Sequence, residues 1–300
     1  MSITLKNPKI LVILGPTASG KSDLAVKFAK KFNGEIISAD SRQVYKSLNI
    51  GSGKITKKEM RGISHYLLDV ANPKKTFTAS DFQKHGIKAI NKIIKKGKLP
   101  IICGGSAFYI DSLIYNFSLP SIPPNPKLRA QLEKKSTPAL FALLEKHDPA
   151  RAKNIDRFNR RRLIRSLEII LLTNLPLPPL KKESPYQILK IGIKKSKKEL
   201  KKRIHLRLLK RMKIGMLKEV KNLHEKQKIS WRRLEELGLE YRYLSLYLQN
   251  KMEKNAMLEK LETEINRFSK RQLTWWKPQT DIHWIKTEKE AKKLTDKFLN

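Results

Sequence analysis

The 300-residue sequence has little of what defines several large classes of protein. Its single cysteine, Cys103, excludes an internal disulfide and favours a reducing compartment. No apolar run approaches the roughly 18–20 residues of a membrane span. Residues 1–20 lack the pattern of a signal peptide, because their short apolar run leads directly into a glycine-rich loop. We therefore expect a cytoplasmic protein that makes no contact with a membrane.

Acidic residues are also scarce, whereas basic residues are abundant. Asp and Glu number 27 against 65 Lys and Arg, so the formal net charge is +38. An excess of this size favours a polyanionic partner, of which nucleic acid is the usual one. A lysine-rich proteome, in which lysine only keeps proteins soluble, is the alternative explanation. The six histidines are scattered, and no Cys/His cluster has the spacing of a zinc site.

The most informative stretch is residues 10–22, ILVILGPTASGKS. Its apolar, β-branched start is typical of a buried parallel strand, and the helix-forming residues 24–29 follow the loop. The loop itself has the pattern G-x-x-x-x-G-K-S in the strand–loop–helix context that phosphate binding requires. Its backbone N–H groups and the helix N-terminus would surround a phosphate, Lys21 would add a charge, and Ser22 would contact Mg²⁺.

Two further predicted strands end at the edge of the sheet where this loop lies. Residues 34–40 predict a strand that ends at Asp40, followed by Ser41, Arg42 and Gln43. Asp40 is either a base or metal ligand that faces the loop, or only a helix cap. Residues 99–103 predict a strand that leads to Gly104, Gly105 and Ser106, which either allow close approach of a ligand or form a plain tight turn.

The remaining patterns predict the rest of an α/β fold. Thr56, Thr78 and Ser196 each begin a capping box. Helices are expected over residues 79–96, 197–224, 234–249 and 252–276, and strands over 65–70, 188–193 and 281–285. Asp69, in the first of these strands, is a weaker candidate for an acid that supports magnesium.

Two proline-rich segments divide the chain. They lie at residues 119–126 and 176–179, where regular structure is disfavoured, and between them the sequence is helical and basic. We therefore expect a core of residues 1–120 and 186–300 and a helical insertion of residues 121–185. Five arginines crowd one helical segment of the insertion: Arg157, Arg160, Arg161, Arg162 and Arg165. They form either a solvated face or a contact with an RNA backbone, for which arginine's planar fork is suited.

Several of these pieces together resemble one family, the tRNA dimethylallyltransferases, also called tRNA isopentenyltransferases. The matching stretches run in the family's order from about residue 9 to 285. They are residues 15–22 (GPTASGKS), 40–45 (DSRQVY), 81–83 (DFQ), 104–106 (GGS), 161–168 (RRLIRSLE) and 270–275 (KRQLTW). The loop alone is generic, whereas the whole set in this order is specific.

The resemblance implies a P-loop NTPase-like parallel sheet flanked by helices, with a small inserted helical domain that contacts tRNA. It implies an enzyme that transfers the dimethylallyl group of dimethylallyl diphosphate to N6 of the adenine 3′ of the anticodon, in tRNAs that read codons beginning with U. We expect a monomer that uses Mg²⁺ on Ser22. The diphosphate-binding residues implied are Gly15, Thr17, Ala18, Ser19, Gly20, Lys21, Ser22 and Arg207.

In the same resemblance, Asp40 and Ser106 are the catalytic residues. Asp40 would take the proton of the adenine amine, and Ser106, where family members commonly carry Thr, would hydrogen-bond near the leaving oxygen. The anticodon stem-loop would be held by Asp40, Ser41, Arg42, Gln43, Ser106, Arg129, Arg161, Arg162, Leu163, Ile164, Arg165, Leu237, Gly238, Leu239, Glu240, Tyr241 and Arg242.

The sequence departs from the family pattern at three places. The usual Gly-Thr-Ala-Lys-Pro is residues 51–55 (GSGKI) here, Glu240 replaces a glycine before Tyr241, and residues 107–109 (AFY) are uncommon. From the residues alone, two other functions stay open. One is a small-molecule kinase whose inserted arginines clamp a phosphoryl group, and the other is a non-catalytic RNA-binding protein with an unused loop.

Overall fold

The computed structural model describes residues 7–120, 122–178, 180 and 183–300. Their contacts divide the chain into two compact units. The first comprises the described residues within 1–116 and 183–300, and the second those within 117–182.

The first unit is built on a sheet in which all neighbouring strands are parallel, with the order β3-β2-β4-β1-β5-β6. This confirms the predicted α/β class with a parallel sheet. The central strands are almost wholly buried, as the apolar run in each predicts. The strands are β1 (Lys9–Leu14), β2 (Gly34–Ala39), β3 (His65–Tyr66), β4 (Leu99–Gly104), β5 (Gln187–Ile193) and β6 (Ile282–Ile285).

Helices cover both faces of this sheet. Side chains alternate along β1, so that Val12 belongs to the core on one face and Ile13 to the core on the other. The helices of this unit are α1 (Lys21–Lys31), α2 (Lys57–Met60), α3 (Ala79–Lys95), α4 (Ala107–Ile114), α9 (Lys197–Lys213), α10 (Met216–Glu225), α11 (Trp231–Leu237), α12 (Leu239–Leu248), α13 (Lys254–Trp276) and α14 (Glu288–Leu299).

The structure corrects two of the predicted helices. The helix expected over residues 197–224 is interrupted at Gly215, which has a φ of +104° and separates α9 from α10. The helix expected over residues 234–249 is interrupted at Gly238, which has a φ of +74° and separates α11 from α12. Both glycines adopt left-handed backbone, which does not continue a right-handed helix.

Smaller features differ as well. The strand expected over residues 65–70 is only His65–Tyr66, because Leu67 and Asp69 both have positive φ. Capping boxes form at Thr56 and Thr78 as predicted, whereas at Ser196 only the side chain accepts a bond, from the Glu199 N–H. Helix α14 was not predicted.

The second unit is a bundle of short helices. They are α5 (Pro126–Glu133), α6 (Thr137–His147), α7 (Pro149–Asn154) and α8 (Arg160–Thr173). Each begins at a side chain that caps it, and these caps are Asn125, Ser136, Asp148 and Asn159. Buried leucines join the helices into one core: Leu132, Leu140, Leu144, Leu163 and Leu167.

A buried carboxylate organises the basic side of this unit. Glu168 is 0% exposed and accepts hydrogen bonds from Arg129 through Nε and Nη2, both at 2.8 Å, from Arg165, and from the Asn125 N–H at 2.7 Å. Burial raises the pKa of Glu168, but the bonds from Arg129, Arg165 and Asn125 outweigh it and hold the pKa below its ordinary value. Two of the predicted RNA-binding arginines therefore also neutralise this carboxylate.

Replacing this carboxylate tests its part in stability. We expect Glu168→Gln to lower the free energy of unfolding at pH 7 by about 2 kcal/mol, because charge-assisted bonds from half-exposed arginines are lost. A folded-state pKa below 4.5 means that the contribution is present at neutral pH and disappears as the pH falls through it. Urea unfolding at pH 7 and at a series of lower pH values measures both. Glu145→Gln, at an exposed position of α6, is the control, and an equal loss there would contradict the assignment.

Candidate active site

The phosphate loop lies between β1 and α1, at the carboxyl edge of the sheet. Gly20 precedes the first residue of α1, which is Lys21. The loop turns tightly, with the Ser19 N–H bonded to the Pro16 carbonyl at 3.2 Å. The Lys21 ammonium donates to the same carbonyl at 3.2 Å, so the side chain folds back over the loop. The strand, the loop and the helix N-terminus therefore have the arrangement that binds phosphate.

One side chain joins this loop to the loop that follows β4. The Thr17 N–H donates to Oε1 of Gln272 at 2.8 Å, and Nε2 of Gln272 donates to the Gly105 carbonyl at 2.8 Å. Gln272 is buried in α13, within the KRQLTW stretch, and sequence reasoning gave it no role. The only signal was its place in that stretch, because its partners lie more than 160 positions away.

Asp40 follows β2 and folds its own turn. Its Oδ1 accepts bonds from the N–H groups of Arg42, at 2.8 Å, and Gln43, at 3.3 Å. No helix begins at Asp40, so the residue holds a turn and is not the helix cap that the sequence left open. These bonds engage only one of the two carboxylate oxygens. The charge of Asp40 raises the pKa of Lys21, so the carboxylate lies near the loop.

Ser106 connects the loops that follow β2 and β4. Its hydroxyl oxygen accepts the N–H of Ser41 at 3.0 Å, and its own N–H donates to the Ala39 carbonyl at 3.1 Å. The parallel register places Leu14 and Ala39 on either side of Gly104, which explains why the three loops meet. The structure thus brings together residues 15–22, Asp40 and Ser106.

Arginines of α9 supply most of the positive charge beside the loop. Burial lowers the pKa of Lys21 below its ordinary value, Asp40 and Cys103 oppose this, and the charges of Arg207 and Arg211 reinforce it. Desolvation together with the neighbouring Arg211 lowers the pKa of Arg207 to about 10, so its guanidinium stays charged at neutral pH. Arg207 therefore lies within electrostatic range of Lys21, and Arg211 is a neighbour that sequence reasoning missed.

The predicted rim of residues 237–242 lies at the α11–α12 junction. Nε of Arg42 donates to the Leu237 carbonyl, which ties the Asp40 turn to this junction. Gly238 and Leu239 are half-buried, and Nε of Arg242 donates to the Glu235 carbonyl at 3.0 Å. The junction and the Asp40 turn thus form one continuous surface.

Four apolar or aromatic members of the predicted RNA-contact set are corrected. Leu163 and Ile164 are 0% and 4% exposed and lie in the core of the second unit. Leu237 and Tyr241 are 2% and 1% exposed, and the Tyr241 hydroxyl is bonded to the Ser52 N–H and to Glu219. Because these side chains are packed inside the protein, we no longer expect them to contact RNA.

The charged members of the predicted RNA-contact set also divide into buried and exposed side chains. Glu240 is buried and paired with Arg211, at 3.2 Å from its Nη1. Arg161 and Arg162 are exposed on α8, in contrast to Arg129 and Arg165, which bond to Glu168.

The site contains few metal ligands of its own. Among the described residues, no group of three or more His, Cys, Asp or Glu side chains is placed to hold an ion. Asp69 is instead paired with Lys54 at 2.5 Å. Ser22 is exposed in the first turn of α1, and burial raises the pKa of the neighbouring Cys103 thiol to about 11. These residues fit a magnesium ion that shares ligand oxygens with a bound phosphate, which is the usual way that Mg²⁺ is held.

Residues 43–279 match the family model described as IPP transferase. The chain belongs to the IPP transferase family. It is 39% identical over 284 residues to the tRNA dimethylallyltransferase of Enterococcus faecalis, covering 92% of this chain and 91% of that protein. It is 39% identical over 293 residues to the tRNA dimethylallyltransferase of Staphylococcus aureus, covering 94% and 93%.

Solved members of the IPP transferase family share the fold. The full-length tRNA isopentenylpyrophosphate transferase of Bacillus halodurans matches with a TM-score of 0.72 at 32% identity, covering 98% of this chain and 95% of that one. A eukaryotic dimethylallyltransferase solved acting on tRNA matches with a TM-score of 0.79 at 26% identity, covering 93% and 74%. The predicted fold class and family are confirmed. No described helix is both long and apolar enough to cross a bilayer.

The bridge made by Gln272 generates a testable prediction. We expect Gln272→Met, which removes both hydrogen bonds at similar volume, to weaken the binding of inorganic diphosphate by about fivefold or more. The reason is that ordering a freed loop residue costs about 1–2 kcal/mol, which then opposes binding. Calorimetric titration measures the affinity, and Gln227→Met at an exposed position is the control. Unchanged affinity would mean that the loop is held without Gln272.

Proposed function

We propose that this chain is a tRNA dimethylallyltransferase. It transfers the dimethylallyl group from dimethylallyl diphosphate to N6 of the adenine 3′ of the anticodon, in tRNAs that read codons beginning with U, and releases diphosphate. The observation that carries the proposal is the meeting of a phosphate loop, with Lys21, and a carboxylate, Asp40, at one edge of the sheet in a member of the IPP transferase family.

The loop and its cations bind the diphosphate of the donor. In the reaction the C–O bond of the donor breaks, the C–N bond forms, and negative charge develops on the departing diphosphate. The backbone N–H groups of residues 15–22, the Lys21 ammonium and the Arg207 guanidinium stabilise that charge. Two observations support this: Lys21 donates a hydrogen bond to the Pro16 carbonyl of the loop, and the charge of Arg207 acts on Lys21. A magnesium ion would be held by Ser22 and diphosphate oxygens, and would neutralise part of the developing charge.

Asp40 acts on the acceptor. An exocyclic amine is a weak nucleophile, so a carboxylate that accepts its hydrogen bond and takes its proton assists attack on the allylic carbon. Oδ1 of Asp40 is bonded to two backbone N–H groups, which fix the carboxylate and leave Oδ2 for the amine. Ser106 holds the adjoining backbone through Ser41 and presents its hydroxyl at the same edge.

The adenine has to leave its stack to reach this site. We propose that Ser41, Arg42, Gln43, Gly238, Leu239 and Arg242 hold the anticodon loop on the first unit, and that Arg161 and Arg162 hold RNA phosphates on the second. RNA is recognised in this way by shape and backbone contacts. The net charge of +38 supports a polyanionic substrate.

A single assay tests the proposed reaction against both alternatives. The protein is incubated with Mg²⁺, dimethylallyl diphosphate and an unmodified anticodon stem-loop of a tRNA that reads codons beginning with U, and the nucleosides are analysed by mass spectrometry. We expect dimethylallyl adenosine in step with released diphosphate, and no consumption of ATP offered instead. A stem-loop with guanine in place of that adenine, which lacks the N6 amine, is the control. Consumption of ATP alone would indicate a kinase, and RNA binding without product a non-catalytic protein.

The variant Asp40→Asn separates the proposed role of Asp40 as a base from its role in holding the turn. The Asn carbonyl oxygen still accepts the N–H groups of Arg42 and Gln43, but the amide does not take a proton. We expect the rate of transfer in a single turnover to fall by about 10²–10⁴-fold, which is the usual contribution of a general base. The affinity for inorganic diphosphate should stay within about threefold of wild type, which is well under 1.4 kcal/mol.

Asp69→Asn is the matched control for Asp40→Asn, because Asp69 is an exposed carboxylate paired with Lys54. We expect it to leave the rate of transfer nearly unchanged. An Asp40→Asn protein that transfers the group within tenfold of the wild-type rate would remove Asp40 from its role as base.

A further inference from the structure

Arg211 lies one helical turn beyond Arg207 on α9, and its guanidinium is almost enclosed. The side chain is only 16% exposed. Nη1 donates to the Gly51 carbonyl at 3.3 Å and lies 3.2 Å from Oε1 of Glu240. A buried guanidinium with one carboxylate partner is thus fixed beside the residue proposed to bind diphosphate.

The space for this guanidinium exists because residue 53 is a glycine. A Cβ at Gly53 would lie 1.7 Å from Nη2 of Arg211 and 3.2 Å from Nη2 of Arg207, and Gly53 has a φ of +60°. Any side chain there would displace Arg211. The Gly53 carbonyl accepts Nε2 of Gln43 at 3.2 Å, and Gln43 belongs to the Asp40 turn. Both arginines therefore reach the backbone beside that turn.

Positive charge is crowded around Gly53. Arg207, Arg211 and Lys21 are cations, and the carboxylates that act on Arg207 or Lys21 are Glu240, Asp23, Glu59 and Asp40. The charges of both arginines act on Lys21, which places them within range of the loop. Neighbouring guanidinium groups at a phosphate loop favour a ligand with several negative charges.

We propose that Arg211 binds the diphosphate of the prenyl donor together with Arg207, and that Glu240 holds its guanidinium over Gly53 for that purpose. The inference rests on the proposed function, because it takes the phosphate loop as the diphosphate site. The bonds to Gly51 and Glu240 use Nη1, and Nη2 is directed to the side where Arg207 lies. Arg207 and Arg211 then contact different oxygens of one ligand.

A different result is expected if the Arg211–Glu240 pair has only a structural role. A buried ion pair replaced on both sides by uncharged groups of similar volume is often neutral for stability, whereas removal of one partner leaves a buried charge. The informative variant is therefore Arg211→Met with Glu240→Gln. If the pair were only structural, this double variant would bind diphosphate as the wild type does.

The experiment measures inorganic diphosphate binding by calorimetry in the presence of Mg²⁺ and without tRNA. We expect the double variant to lose about tenfold or more in affinity, since a charge-assisted bond is lost. Glu240→Gln alone should lose less affinity than the double variant, because the Arg211 charge remains and the Gln oxygen still accepts its bond. Lys213→Met, which removes an exposed charge from the end of the same helix, should stay within about threefold of wild type.

A second measurement identifies the ligand. The affinity for the anticodon stem-loop alone should be unchanged in the double variant, and a selective loss there would make Arg211 an RNA contact and overturn the proposal. Arg211→Lys keeps the buried charge but lacks the planar guanidinium, so it should weaken diphosphate binding by a few fold. This variant replaces the double variant in the test if the double variant does not fold.

Three other results would overturn the proposal. The first is a double variant whose diphosphate affinity stays within threefold of wild type. The others are a Glu240→Gln or a Lys213→Met variant that loses as much diphosphate affinity as the double variant. The variant Lys21→Met distinguishes a failure of the Arg211 proposal from a failure of the proposed function. If Lys21→Met leaves diphosphate affinity unchanged, the loop is not the diphosphate site. If only Lys21→Met weakens binding, the site stands and Arg211 is not part of it.

Discussion

Positive charge crowded around the phosphate loop is the constraint on which the rest of the site depends. Desolvation lowers the pKa of Lys21, and the charges of Arg207 and Arg211 on α9 lower it further. Desolvation and the charge of Arg211 lower the pKa of Arg207. Such a cluster is costly for the folded protein, and an anion with several charges relieves it. Carboxylates nearby offset some of the repulsion: Glu240 bonds to Arg211, Asp40 acts on Lys21, and Asp23 and Glu59 act on Arg207. This crowding of cations supports the proposal that the site binds a diphosphate.

Local patterns predicted the parts of this site that local chemistry determines. The strand, the glycine-rich loop and the helix of residues 10–29 are all signalled within one short stretch, and the structure has them there. The breaks at Gly215 and Gly238 were missed because apolar residues continue at helical spacing across both glycines. Periodicity does not report whether a glycine adopts left-handed backbone. Asp40 was ambiguous for a related reason, since the same carboxylate both holds its turn and acts electrostatically on Lys21 of the loop.

Contacts between distant parts of the chain were beyond the reach of sequence patterns. Gln272 bonds to residues in two loops that lie far from it in sequence, and its own helix shows only an amphipathic pattern. The arginines of the second unit illustrate the same limit. They were predicted as one RNA-binding group, yet Arg129 and Arg165 surround the buried Glu168 while Arg161 is exposed. Only the position of that carboxylate separates the arginines that hold the helices together from those available to RNA.

The order in which the loops are connected bears on how the reaction is controlled. In the proposed reaction the loop after β1 binds the donor and the turn after β2 binds the acceptor, so catalysis would require that these two segments keep a fixed separation. Gln272 links the first to the loop after β4, and Ser106 links that loop to the second. Misplacement of reacting atoms by about 1 Å can cost about 10²-fold in rate. In the proposed reaction the loop after β4 would therefore fix the distance between the donor and acceptor segments.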